Sequence, residues 1–380
     1  MKKVFYFSVG LLLLVLIFLG AYNFAFKNNV NNPIATPKTE TFVQKNDPVT
    51  NEINISSDII SPINENILGA DITPDGMIIY YSLDDHAFKK ASVEGKDKSI
   101  LLSNLSGIPI QIVWSPKKDK VLILLKQEGG ENLWHFTDLS TKTLVPLKPE
   151  MSRLAWNNLG DKILYQYTDA KNGNRSLNIS NPDGTDWKTL TTLKNDSFIA
   201  AIPRSTAISF WNKPNALEKT AFESISVNGE NRKILLTEKY GADYLWSPDG
   251  ERVAVSSSIE KGGNAILLHS MNNIGGELRS LALPTLVSKV VWTKNGQTLY
   301  YALPGSLPEN AMLPNDYFEK PLFTKDTFWK MDITTGKQTR IVDLKNITEA
   351  LDSTNIFLSP NEDSLFFTNR ATHKLYRIDL

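Results

Sequence analysis

The residues with chemical capacity are few and scattered. Four histidines, His86, His135, His269 and His373, share no H-x-H or H-E-x-x-H spacing. Each therefore reads as a lone imidazole, not as part of a metal-binding or proton-transfer set. Cysteine is absent, which removes disulfides, thiolate metal sites and a thiol nucleophile. No G-x-S-x-G elbow and no phosphate-cradling glycine loop occurs, and Gly129-Gly130, Gly262-Gly263 and Gly275-Gly276 fall where hairpin turns belong. Asp75, Asp161, Asp249 and Asp363 recur at turn positions. They read as acceptors for their own turn, not as calcium ligands or an acid–base pair. No catalytic residue, metal or cofactor is assigned.

The remaining candidates are aromatic or basic. A Pro-rich segment at 303–324 carries Tyr317, Phe318 and Phe323, Trp211 opens the stretch WNKPNALEK, and Arg370 stands near the C-terminus. Trp211, Tyr317, Phe318, Phe323 and Arg370 form the candidate partner-binding set, provided that the fold gathers them at one end. The competing reading has the 303–324 segment fold down as a plug.

The elements that would position them come from a repeat. The turn in YLWSPDGERVAV (Tyr244–Val255) has variants elsewhere, and the residues following each anchor are 73, 115, 157, 204, 247, 293 and 359. The first five spacings average 44, and the sixth, 66, contains the 303–324 segment. Each period holds short β-branched and aromatic runs without helical periodicity. Four strands per period of this length make a β-propeller blade. The turn joins the innermost strand to the second, and the tryptophan before it fills the wedge between blades. The connection that carries 303–324 joins the second and third strands of the sixth repeat, so it overhangs one mouth of the channel, with Trp211 and Arg370 on the same face. The last repeat lacks a fourth strand, whereas 52–60 is strand-like and has no blade of its own. The expected fold is all-β: a seven-bladed propeller, with six or eight as alternatives, closed by this N-terminal strand, which thereby protects an edge.

Trp-Ser-Pro-Asp-Gly at 246–250, its variants at 114–116, 292–296 and 358–360, and SNPDGTDWKTL at 180–190 resemble TolB-type (WD40-like) propeller repeats. The same repeat class occurs in prolyl-oligopeptidase-like enzymes. The resemblance covers about 67–380 and implies the fold and a tendency to bind proteins or peptides. The chain departs from those relatives: it is expected to have neither the TolB N-terminal domain nor a hydrolase domain.

Ahead of the repeats, Val4–Tyr22 is a run of 19 uncharged residues preceded by Lys2 and Lys3. As a helix it would span about 28 Å, close to the hydrocarbon thickness of a bilayer. Residues 1–26 are expected to be a transmembrane anchor, with a cleaved signal peptide as the alternative, and 27–51 a flexible linker. The domain 52–380 would then be periplasmic or extracellular, on a bacterial membrane. Lys+Arg and Asp+Glu balance at 41 each, which argues against a nucleic-acid partner. The sequence thus points to a membrane-anchored, monomeric propeller that binds a protein, peptide or envelope polymer. The alternative is a glycosidase, lyase or cyclase with its site in the channel mouth.

Overall fold

A computed structural model of the chain describes residues 58–305 and 307–380, which fall within one compact unit, Ile53–Leu380. Strand β1 (Ile59–Ile60) comes first. Three four-stranded antiparallel sheets follow in chain order. The first holds β2 (Ile67–Ile72), β3 (Ile78–Ser82), β4 (Ala87–Ala91) and β5 (Ser99–Ser103). The second holds β6 (Ile108–Trp114), β7 (Lys120–Lys126), β8 (Asn132–Asp138) and β9 (Leu144–Pro146). The third holds β10 (Met151–Trp156), β11 (Ile163–Thr168), β12 (Arg175–Ser180) and β13 (Lys188–Leu193).

A seven-stranded sheet comes next: β14 (Ser197–Ala201), β15 (Ala207–Asn212), β16 (Lys219–Ser226), β17 (Lys233–Trp246), β18 (Arg252–Ser258), β19 (Ile266–Asn272) and β20 (Arg279–Leu283). Its central strand is double. Residues 233–240 of β17 pair with β16, and 240–246 pair with β18. One strand therefore ends one repeat and begins the next without a break. The sequence reads Tyr244–Trp246 as the end of the fifth repeat's first strand without fixing its start, and Gly241, with φ +54°, stands at the junction.

The sheet of β21 (Val290–Trp292), β22 (Thr298–Leu303), β23 (Thr327–Asp332) and β24 (Gln338–Arg340) follows, and β25 (Ser353–Leu358), β26 (Ser364–Asn369) and β27 (Leu375–Asp379) end the chain. β1 completes this last sheet, with Ile59 opposite Ile378 and Ile60 opposite Arg377. The N-terminal strand expected at 52–60 is thus seen over its final residues, while 52–57 lie outside the described residues. The only α-helix among the described residues is α1 (Asn315–Glu319), in the insertion.

The core lies between sheets. Tyr81, Phe88 and Leu102 of the first sheet pack on Trp114, Val121 and Ile123 of the second, and comparable clusters join each later pair. The circle closes where Phe366 and Leu375 of the last sheet meet Ile67, Ile78 and Tyr80 of the first. Such strands are covered on both faces, which is why Val121–Leu125 is apolar throughout.

The turn tryptophans do more than fill wedges. Trp114 Nε1 donates to Gly69 O (2.7 Å), Trp156 Nε1 to Val113 O (2.9 Å), Trp246 Nε1 to Ser209 Oγ (2.9 Å) and Trp292 Nε1 to Leu245 O (3.2 Å). In each case a buried indole N–H finds its acceptor in the preceding repeat, which links neighbouring sheets and avoids an orphaned donor. Within the turn, Gly250 N donates to Ser247 O. Gly250 has φ +76°, and a Cβ there would stand 2.4 Å from Pro203 O, so only glycine fits.

Among the described residues no helix is long and apolar enough to cross a membrane. The expected anchor at 1–26 and the linker at 27–51 lie outside the described residues.

Candidate functional site

Connections between second and third strands emerge at the same end of the ring as the links between repeats, and the candidate site is built there. A cavity of about 710 Å³ is lined by four innermost strands: Gln111 of β6, Ser152 and Arg153 of β10, Phe198 of β14, and Asp243 and Tyr244 of β17. Trp134, Gln166, Thr168, Arg175, Asp196 and Trp211 complete the polar and aromatic lining.

The strands place these groups through local irregularities. β10 changes register between Ser152 and Ala155, and Arg153 sits in this bulge with φ +54°. A bulge re-aims the side chain it carries. Arg153 forms a two-pronged pair with Asp196 (Nε to Oδ1 2.9 Å, Nη2 to Oδ2), and its guanidinium lies 4.9 Å from the Phe198 ring centroid. Gln166 accepts from Ser197 N at 2.9 Å and donates towards Ser152 Oγ and Asp196 Oδ1. The Arg153 hydrogen bonds hold the Asp196 carboxyl below its ordinary range against the opposing effect of burial.

Asp243 behaves oppositely. Burial pushes its carboxyl up to about 6, and the donors Tyr244 N and Trp211 Nε1 offset this only in part. Both donate to the same oxygen, Oδ1, at 3.0 and 2.9 Å. Trp211 is buried, packed edge-on to Phe198, Phe222 and Tyr244. Tyr244 stacks on Phe222 with centroids 4.0 Å apart, and its buried hydroxyl has no hydrogen-bond partner.

The insertion at 303–324 lies along this end. Its apolar side, Ala311, Leu313 and Tyr317, packs on Ile266 and Leu286. Ser258 Oγ donates to Leu313 O, and Leu313 N donates to Gly263 O. α1 then reaches the connection after Trp211: Ala216 N donates to Asn315 Oδ1 (2.8 Å) and Asn315 Nδ2 to Asn215 Oδ1 (3.1 Å). A smaller cavity of about 290 Å³ is lined by Asn315 and Glu319 of α1 together with Arg175 and Asp196. The insertion therefore shares a rim with the main cavity.

Beneath it lies a charge cluster that the sequence reading missed. Lys289, fully buried, donates to Asp326 Oδ2 (2.6 Å), Asp352 Oδ1 (2.7 Å), Thr324 Oγ1 (3.1 Å) and Ser353 O (2.9 Å). Tyr317 OH donates to Asp352 Oδ1 at 2.7 Å. Arg370 donates to Asp352 Oδ2 (2.9 Å), Tyr317 O (2.9 Å) and Leu322 O, and it stacks on the Tyr317 and Phe323 rings. The Asp352 carboxyl suffers burial, but Lys289, Tyr317 and Arg370 outweigh it and hold the group below its ordinary range. The one sequence signal was a lysine inside the apolar run TLVSKVVW.

Of the five expected binding residues, Tyr317, Phe323 and Arg370 come together, while Trp211 lies at the main cavity. Tyr317 is turned inward at 1% exposure, and Arg370 is spent holding the insertion, so neither presents itself to a partner as expected. Phe318 and Phe323 stay half exposed. The histidines stay apart: His86 and His373 are exposed, and burial lowers the pKa of His135 and His269. Each turn aspartate expected to serve its own turn does so where hydrogen bonds record it. Asp249 Oδ1 accepts from Ser247 Oγ and Glu251 N, and Asp363 Oδ1 accepts from Ser359 Oγ.

No family model matches the sequence. One curated relative, the "Uncharacterized peptidase YuxL" of Bacillus subtilis (strain 168), is 41% identical over 63 residues. That match covers 16% of this chain and 9% of the relative's length. Among solved structures, an oligogalacturonate lyase in complex with manganese is similar with a TM-score of 0.59 at 14% identity, covering 86% of this chain and 97% of that one. A prolyl endopeptidase gives 0.53 at 12% identity, covering 87% of this chain and 51% of that one. These likenesses show a β-propeller fold. Among the described residues no three His, Cys, Asp or Glu side chains converge as a metal-ligand set.

Proposed function

We propose that the protein is a binding module that takes a peptide segment of a partner protein into the cavity at the insertion end of the ring. The observation that carries this reading is the lining itself. Aromatic walls from Phe198, Trp211 and Tyr244 stand beside fixed polar groups at Gln166, Arg153 and Asp243, the composition of a recognition site. The cavity's two carboxylates have separate duties, Asp196 tied to Arg153 and Asp243 to Trp211. Neither is matched to the other as an acid–base pair.

Within this proposal the repeats are TolB-type. Counting the seven-stranded sheet as two blades that share β17 makes seven in all. Val4–Tyr22 serves as a membrane tether that presents a monomeric ring outside the cytoplasm. Gln111, Phe318 and Phe323, exposed at or near the rim, meet the partner first. A lyase, glycosidase or cyclase is the second reading. It rests on Asp243, whose carboxyl titrates near 6 as a general acid's would.

Photo-crosslinking in cells tests the binding reading. A crosslinker at Gln111 or Phe318 is expected to capture one discrete partner, and a crosslinker at Ile274, on a hairpin at the other end, is expected not to. Equal capture from both ends, or none from the insertion end, counts against it. Turnover of an oligosaccharide that is lost in Asp243→Asn would favour the enzyme.

A further inference from the structure

Two groups at the cavity stand out because their charges are handled so differently. Arg175 makes no side-chain hydrogen bond or ion pair in the structure; it lines both cavities and lies close enough to Asp196 to help lower that carboxyl's pKa. Part of its surface is open to water. A hydrated guanidinium costs little to leave unpaired, so its lack of a partner does not call for an anion.

Asp243 is the reverse. Protein surrounds it closely enough that burial is the largest influence on its carboxyl, and no Lys, Arg or His contributes to holding its charge. Both of its hydrogen bonds fall on Oδ1, and the carboxylate lines the cavity. The donors come from an indole and a backbone amide, which are neutral. An ionised carboxylate in such surroundings lacks the compensation that a cation beside it would give. The neighbouring walls are the rings of Trp211 and Tyr244, with Phe198 beyond them already carrying the Arg153 guanidinium. Aromatic faces beside a lone carboxylate attract an alkylammonium through ring quadrupole and charge together.

We infer that the cavity recognises a protonated primary amine, as on a lysine side chain of the bound peptide, with Asp243 as its ion partner and Trp211 and Tyr244 as its walls. This inference rests on the cavity being a binding site, and it adds the chemical class of what enters. The predicted contact would leave Oδ1 with its present donors and give Oδ2 to the ammonium.

The test is calorimetric titration of the full-length protein with three capped peptides, trilysine, trialanine and triglutamate. Trilysine is expected to bind, with trialanine and triglutamate weaker by roughly tenfold or more. Asp243→Asn, which keeps the shape and the acceptor for Trp211, is expected to weaken trilysine by a similar factor. Trp211→Phe removes the indole donor but keeps the charge and an aromatic wall, and it is expected to retain most of the binding. Loss in the first variant with retention in the second separates a lost charge from a lost fold.

The inference is overturned if triglutamate binds as well as trilysine, if Asp243→Asn leaves trilysine unaffected, or if none of the three peptides binds. Capture by the crosslinker at Gln111 decides the broader binding reading independently. Crosslinking without amine selectivity would leave the cavity a binding site for some other chemistry.

Discussion

The Lys289 ammonium lies 2.6 Å from the Asp326 carboxylate, with both side chains fully removed from solvent. It also reaches Asp352 at 2.7 Å, so one cation bridges a carboxylate on the strand lead-in after the insertion and another ahead of β25. Lys289, Asp326 and Asp352 are removed from solvent, and the partly exposed Arg370 adds a second positive charge at the edge of the cluster. A cluster of this kind is costly to break on one side.

Replacing Lys289 with methionine should therefore lower unfolding free energy by about 3–5 kcal/mol, because the buried Asp326 loses its cation and Asp352 is left with Arg370 alone. Urea unfolding followed by tryptophan fluorescence measures it. A loss under about 1 kcal/mol would show that the cluster is hydrated in solution.

Arg370→Ala should release the insertion with less damage to the ring. The side chain donates to two insertion carbonyls and covers two of its rings. Limited proteolysis is expected to cut between 305 and 325 several times faster in the variant. Sites elsewhere should keep their native rates, since locally opened segments are cleaved first. Uniform acceleration across the chain would contradict this.

Asp243 supplies a pH signature. Its folded carboxyl keeps a proton up to about 6 where an ordinary one loses it near 3.8. The stabilisation from binding that proton is complete below the lower value and lost as pH rises through the upper one. At pH 7 Asp243→Asn should thus be more stable than the parent, by about 1–2 kcal/mol once water at the cavity's open side has weakened the burial penalty. The gain should vanish near pH 4. Melting temperatures across this range check it, and a variant less stable at pH 7 would mean that a cation already neutralises the site.

Trp246→Phe tests the links between repeats. It removes the donor to Ser209 Oγ and opens space in the cluster around Phe222 and Tyr244. Denaturant titration should show a loss of about 2–4 kcal/mol with an unchanged m-value. A neutral result would make packing indifferent to the ring at that position.

The repeat was legible because its turns demand particular residues. Ser-Pro-Asp-Gly needs a small φ-positive residue at Gly250 and a preset φ at Pro248, and those requirements recur wherever the turn does. The second strand of the fifth repeat is read from the sequence as Arg252–Ser258, the bounds that β18 has. The junction inside β17 is marked only by Gly241, a lone glycine without a turn sequence around it, so the change of pairing partner at Tyr240 was not legible. The site was harder still. Arg153 meets Asp196 from the next repeat, and Lys289 meets Asp352 across two sheets. Pairings of this type follow from three-dimensional closure and leave no local spacing. Tyr317 misled for a related reason. An aromatic in a Pro-rich loop reads as a surface anchor, and only the acceptor at Asp352, supplied from elsewhere in the chain, shows why it turns inward.

The pairing of Ile59 with Ile378 has a consequence for how the molecule is made. The first described strand leaves the ribosome early yet has no partner until the last one is synthesised. Through most of translation β1 and the flank of the first repeat would stay bare, and a more advanced nascent chain on the same message could offer a matching strand. Polysomes are thus where dimers joined by exchanged β1 strands would be most apt to arise, and a holdase covering that exposed flank would suppress them.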